Sequence, residues 1–203
     1  MIAGPTRKLR LETLDPGDEV VGYRFPPGRW PDLPRCSVAD LAGRVVPVDD
    51  ILPTAIEAQP DDPADVRALA LFRALDPVLR QRPVRPRVGA LLHAVTRGDA
   101  PVRALAREAG WSERHARRRI RATAGLAAND LRQLERFQRF VSLVQHDVAR
   151  SRRRSIADLA VAAGYADQSH LHRACREFAG LTPKRYLDRT HHRCADHRHD
   201  AHA

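Results

Sequence analysis

The chain has 203 residues, of which 43% are hydrophobic but only 5% aromatic, so it can bury a core built mainly from Leu, Val, Ile and Ala. No run approaches the ~20 apolar residues that span a bilayer, the first eight residues lack the apolar stretch of a signal peptide, and Cys36, Cys175 and Cys194 are too scattered for a disulfide framework, so a cytoplasmic protein with reduced thiols is expected. Residues 1–83 carry 11 Lys/Arg against 13 Asp/Glu, a net of −2, whereas residues 84–190 carry 22 against 10, a net of +12. An arginine-biased coding sequence explains why Lys occurs only twice, but not a charge that changes sign along the chain. That points to a polyanionic partner, double-stranded DNA ahead of a membrane surface.

The first 50 residues read as short extended pieces. Val21, Tyr23 and Phe25 alternate with other residues up to a Pro26-Pro27-Gly28 turn, and Val45-Val46-Pro47-Val48 is a second candidate strand. Asp61-Asp62-Pro63 opens a helix with Val66, Leu69, Phe72, Leu75 and Leu79 at helical spacing, which Asp76-Pro77 is expected to kink or end. A linker with two prolines, Gln81 to Pro86, follows. Beyond it the chain reads as helical throughout. Val88, Leu91, Leu92 and Val95 form an i, i+3, i+4, i+7 stripe. A short helix from Val102 stops at Gly110, Ser112 caps another that ends before Gly125, and a long amphipathic helix carries Leu131, Leu134, Phe137, Val141, Val144 and Val148.

The chain then repeats itself. Val102-Arg103-Ala104-Leu105-Ala106-Arg107-Glu108-Ala109-Gly110-Trp111 matches Ile156-Ala157-Asp158-Leu159-Ala160-Val161-Ala162-Ala163-Gly164-Tyr165 at an offset of 54. After a one-residue insertion Ala116, Ile120, Gly125 and Leu126 match Leu171, Cys175, Gly180 and Leu181 at 55. Each unit reads as a helix-turn-helix: Ala permits close helix approach, and Gly permits a left-handed turn. Ser155 with Asp158 resembles a capping box, and Asp167 caps the second helix of its unit. Such a second helix fits the major groove of DNA. With Ala116 and Ile120 inward, Arg114, Arg117, Arg118 and Arg121 face outward; with Leu171 and Cys175 inward, Gln168, Ser169, His172 and Arg173 do. Arg pairs bidentately with guanine and Gln with adenine. The competing reading is a pair of solvated charged faces, which two copies with donors on both outward faces disfavour.

Residues 88–187 resemble the DNA-binding domain of the arabinose-regulator (AraC/XylS) family of transcription factors. The resemblance is carried by Ala163-Gly164-Tyr165-Ala166-Asp167-Gln168-Ser169-His170-Leu171-His172-Arg173 and by Gly180-Leu181-Thr182-Pro183-Lys184-Arg185-Tyr186, in which Thr182 is a good N-cap and Pro183 a good first helical residue. It implies a mainly α fold of two helix-turn-helix lobes joined by a long linker helix, about residues 129–148, with a small N-terminal α+β appendage. It implies base reading by Arg114, Arg117 and Arg118, then by Gln168, Ser169, His172 and Arg173. RNA polymerase is a further partner of such a regulator. Two departures are Ala116 where a bulky aliphatic is usual and Cys175 where Phe is usual; both leave smaller inward side chains. Gly22 to Gly28 and Leu41 to Val48 resemble the end and exit of a cupin-like sensor, which makes 1–83 a truncated sensor-like segment, 85–190 the DNA-binding domain and 191–203 a disordered His-rich tail.

Arg121, Arg152, Arg153, Arg154, Arg176 and Lys184 are candidate phosphate contacts from the basic segment. An alkylation-repair methyltransferase reading would need clustered zinc-binding cysteines, and Cys36 has no second cysteine within 100 residues. No cofactor and no enzymatic activity are expected. His191, His192, Cys194, His197, His199 and His202 are metal-ligand types, weighed against a loose polar tail, and His93 and His146 read as packing or surface residues. The effector is undetermined. The runner-up function is a nonspecific architectural DNA-binding protein.

Overall fold

The computed structural model describes residues 1–7, 19–25, 36–51, 55–81, 86–98 and 100–196, with the side chains of 78, 79, 81 and 191–196 outside the description. The Pro26-Pro27-Gly28 turn, most of the proline linker and the tail from 197 lie outside these residues. The described residues form a mainly helical protein with nine helices and one two-stranded sheet. None of the helices is long and apolar enough to cross a membrane. The chain divides into two compact units, residues 1–6 with 10–128 and residues 7–9 with 129–203.

In the first unit, β1 (Ile2–Ala3) pairs antiparallel with β2 (Val45–Val46), Ile2 opposite Val46. The second strand is where sequence alternation expects it; residues 19–25 form none. Between the strands α1 (Val38–Leu41) is started by a full capping box, Ser37 Oγ accepting from the Asp40 amide and Asp40 Oδ2 accepting from the Ser37 amide. Cys36, Leu41 and Val46 close over Ile2 and Ile51 as a small core. The helix α2 (Ala64–Gln81) continues through Pro77, so the expected stop at Asp76-Pro77 does not occur. Only one turn follows the proline, and an Arg80–Asp76 ion pair at 2.7 Å braces that turn. The backbone bond lost at position 77 is therefore near a helix end, where its cost is smallest.

Pro86 begins α3 (Pro86–Arg97), whose Val88, Leu91, Leu92 and Val95 are all buried, as the stripe requires. They pack with Val102, Leu105 and Ala106 of α4 (Val102–Glu108) and with Ala116, Ile120 and Ala124 of α5 (Glu113–Ala124) in a mutually contacting three-helix group. The N-terminal pieces join this group. α1 packs on α5, and the α5 C-cap, Gly125 at φ 71°, lies so close to Pro5 and the Val38 carbonyl that a Cβ there would collide with both.

In the second unit α6 (Ala128–Ala149) lays Phe137, Phe140, Val144 and Val148 on Leu159, Ala160 and Ala163 of α7 (Ile156–Ala163) and Leu171, Ala174 and Cys175 of α8 (Gln168–Ala179). Phe178 and Tyr186 stack on this core, with Phe178 5.3 Å from Phe137 and Tyr186 5.6 Å from Phe140 between ring centroids. α9 (Pro183–Asp196) starts at Thr182, whose Oγ1 accepts from the Arg185 amide. It runs past residue 190, where the sequence reading ends the ordered domain, because residues 190–196 contain neither Gly nor Pro.

Candidate nucleic-acid interface

Two helix pairs, α4–α5 and α7–α8, carry the residues singled out from the sequence. Their turns are built alike. The Trp111 amide donates to the Ala106 carbonyl at 2.8 Å and the Tyr165 amide to the Ala160 carbonyl at 2.9 Å. Gly110 donates to Arg107 at 3.1 Å and Gly164 to Val161 at 3.0 Å, with φ of 70° and 88°. This is the two-bond closure of a helix C-terminus by a left-handed glycine. The one-residue insertion falls in the turn itself, Trp111-Ser112 against Tyr165-Ala166-Asp167. Ser112 then accepts from the His115 amide at 3.2 Å and Asp167 from the His170 amide at 2.7 Å, so both second helices are side-chain capped. Both end on a left-handed glycine, Gly125 and Gly180, which donate to the Arg121 and Arg176 carbonyls. At Ser155 the anticipated capping box is half realised: Oγ accepts from the Asp158 amide, but the Asp158 carboxylate takes the Ser155 hydroxyl.

A repeated pair escaped the sequence reading. Trp111 and His115 meet edge to face at 5.0 Å, and Tyr165 and His170 do so at 5.1 Å. The signal was present, since the two histidines stand 55 residues apart, the same offset as the two C-cap glycines. Each histidine offers its amide to the cap and its ring to the turn aromatic, locking the entry of the helix behind it.

On α5 the side chains of Arg114, Arg117, Arg118 and Arg121 are exposed, and Ala116 and Ile120 are fully buried beneath them. Arg117 is engaged by Glu113 one turn earlier, its Nε and a terminal nitrogen donating to the same carboxylate oxygen at 2.9 and 2.6 Å. Arg118 lies 3.4 Å from the His115 ring. On α8 Gln168, Ser169 and Arg173 are exposed and His172 is half-buried, above fully buried Leu171 and Cys175. Burial pushes the Cys175 thiol up to about 12, so it serves as an apolar packing group. Tyr165 is buried as well, which pushes its phenol upward, and its hydroxyl has no hydrogen-bond partner among the described residues.

Of the candidate phosphate contacts, Arg121, Arg152, Arg153, Arg176 and Lys184 are exposed. Arg154 differs. Its Nε and a terminal nitrogen donate to the two oxygens of Asp147, both at 2.8 Å, and its side chain is only 18% exposed. Asp147 is buried, and the Arg154 hydrogen bonds hold its carboxyl below the usual carboxylate range against the desolvation that opposes them. Its carbonyl also accepts from the Arg152 amide at 2.8 Å, and Ser151 takes a left-handed φ of 52°. The segment entering α7 is thus wrapped around one buried carboxylate. Another ion-pair cluster of this unit centres on Arg7, which donates to Asp130 at 2.7 Å, Gln133 at 3.1 Å and Glu177 at 2.6 Å.

Among the described residues no three His, Cys, Asp or Glu side chains gather where they could hold a metal ion, and the His-rich end lies outside that description. No curated protein and no solved structure matches the chain. Residues 105–189, from within α4 to within α9, match the family model of a helix-turn-helix domain of the AraC type. The match spans less than half of the chain, and it supports the presence of one domain: residues 105–189 are similar to AraC-type helix-turn-helix domains.

Proposed function

We propose that this protein is a sequence-specific transcription regulator that inserts α5 and α8 into successive major-groove segments of double-stranded DNA. The observation that carries the reading is the family match over both helix pairs, and the repeated turn and cap geometry supports it. In this reading Gln168, Ser169, His172 and Arg173 on α8, and Arg114, Arg117 and Arg118 on α5, contact base edges, because they are the outward donors of helices whose opposite faces are core. Arg121, Arg152, Arg153, Arg176 and Lys184 contact phosphates and set the position of the protein on the duplex. Arg154, whose fork is taken by Asp147, is assigned to holding the loop before α7 and leaves the phosphate set.

The test is selection of bound sites from randomised duplex DNA. A regulator enriches one motif and prefers it over random sequence by about 10³ or more. A bound pool as random as the input overturns the reading and leaves a protein that holds DNA by charge and shape alone.

A further inference from the structure

Five of the ten histidines lie in residues 191–203, and the proposed DNA contacts use none of them. The part of this run that belongs to a described element is the end of α9, whose helical backbone extends through Asp196. Helical geometry therefore assigns each residue there to a face. The packing face is fixed by contacts: Tyr186 and Leu187 pack on the core of the second unit, and Thr190 Oγ1 donates to the Tyr186 carbonyl at 2.9 Å. Cys194 continues the row of Leu187 and Thr190.

Asp188 stands on the opposite side. It is exposed and belongs to no ion pair among the described residues, although Lys184 and Arg185 lie one turn before it. His191 and His192 follow at i+3 and i+4, so the backbone places a carboxylate residue and two imidazole residues on one side of the helix within a single turn. Ala195, the next residue along that side, is small. These are spacings at which a helix supplies metal ligands. A carboxylate three residues before a histidine does so in di-iron helical bundles, and two ligands four apart do so in zinc peptidases. Three nitrogen and oxygen donors, with water completing the shell, suit zinc, nickel or cobalt; calcium and magnesium take oxygen donors instead.

We propose that Asp188, His191 and His192 form a site for one divalent transition-metal ion of the zinc class at the outer side of α9. Because all three donors come from one turn, the ion ties that turn together, and binding is linked to helix formation at the end of α9. Cys194 stands on the packing row and is no ligand.

The experiment is calorimetric titration of the full chain, free of added histidines, with zinc chloride, repeated with cobalt chloride under visible and near-ultraviolet spectroscopy. The expected result is one ion per chain. Asp188→Ala, His191→Ala and His192→Ala each weaken binding about 10–100-fold or more, while the melting temperature of the metal-free chain stays near the parent value. Cys194→Ala binds as the parent does, and so does a variant carrying His197→Ala, His199→Ala and His202→Ala together. Bound cobalt shows its d–d bands without thiolate-to-metal charge transfer. A parent chain that takes up no ion overturns the proposal. Binding lost in the triple variant assigns the ion to residues beyond Asp196 and overturns it as well. So does a charge-transfer band that disappears in Cys194→Ala, or an Asp188→Ala chain that binds like the parent.

Discussion

The two helix pairs share turn, caps and offset, yet they are filled and faced differently. Under α5 the buried pair is Ala116 then Ile120; under α8 it is Leu171 then Cys175. Each has one small and one large inward side chain, in opposite order, and all four are fully buried. The smaller residue at 116 therefore does not by itself loosen the first pair: bulk has moved one turn along the helix. The outward faces diverge more. α5 presents four exposed arginines, one already held by Glu113, whereas α8 presents an amide, a hydroxyl, an imidazole and a guanidinium. Uniform charge attracts any phosphate backbone, while varied donors and acceptors discriminate base edges. On the proposed function, the difference predicts that α8 discriminates more between base pairs while α5 adds more charge-driven attraction.

The largest effect expected from this comparison is on salt dependence. With about five phosphate contacts, affinity falls roughly 10²–10³-fold between 50 and 200 mM salt. Replacing Arg121, Arg152 and Arg176 together by Ala lowers the slope of log affinity against log salt by about three, whereas Gln168→Ala leaves it unchanged. A flat titration of the parent protein breaks the nucleic-acid reading altogether.

Next comes the Asp147–Arg154 ion pair at the entry to the second pair. Asp147→Ala leaves Arg154 without its partner and removes the hydrogen bonds that hold the segment entering α7, which destabilises the second unit. Hydrogen exchange separates the units: protection is lost across α6–α9 and kept in α3–α5. Because the Asp147 carboxyl is held below its ordinary value, its contribution is fully present above the unfolded pKa of about 3.9 and disappears as pH falls through the lower folded value. Melting temperature against pH should therefore drop more steeply below about pH 4 in the parent than in Asp147→Asn, which has no carboxylate to protonate.

Smaller and more specific are the effects on sequence preference. Arg173→Ala and Gln168→Ala each cost about 1–3 kcal/mol at the cognate site and relax preference at particular base pairs. Arg121→Ala weakens all sequences alike, and Arg117→Ala relaxes preference less than Arg173→Ala does, its guanidinium being shared with Glu113. Specificity profiles against a randomised site measure this. If Arg173→Ala and Gln168→Ala keep the parent's preference, α8 is not the reader.

The smallest effect lies outside both pairs. Deleting residues 191–203 removes no net charge and should leave DNA affinity within a few-fold. A large loss, or one reversed by added zinc, would show that the terminal histidines hold a metal.

The helix pairs were legible because what defines them is local. A cap reaches three residues along the chain, a glycine turn spans four, and an apolar face is a spacing of three and four. Ser112, Asp167, Thr182, the four turn and cap glycines and the inward residues of α3, α5 and α8 all stand where such rules put them. Phe140 lies off the apolar stripe through Phe137 and Val141 that periodicity marks, yet it is the largest fully buried side chain among the described residues.

By itself, then, the sequence determined which segments between residues 86 and 181 are helical, where they stop and which donors the second helix of each pair turns outward, since each depends on neighbours within a turn or two. Tertiary structure decided what depends on partners distant in sequence. It gathered Asp130, Gln133 and Glu177 around Arg7, more than 120 residues away, set Pro5 and Val38 against the bare Cα of Gly125, and turned Arg154 from a spare cation into the counter-charge of a buried Asp147. It also left the apolar stripe of α2 facing water, because periodicity fixes that a face exists while only the surrounding chain determines whether anything covers it.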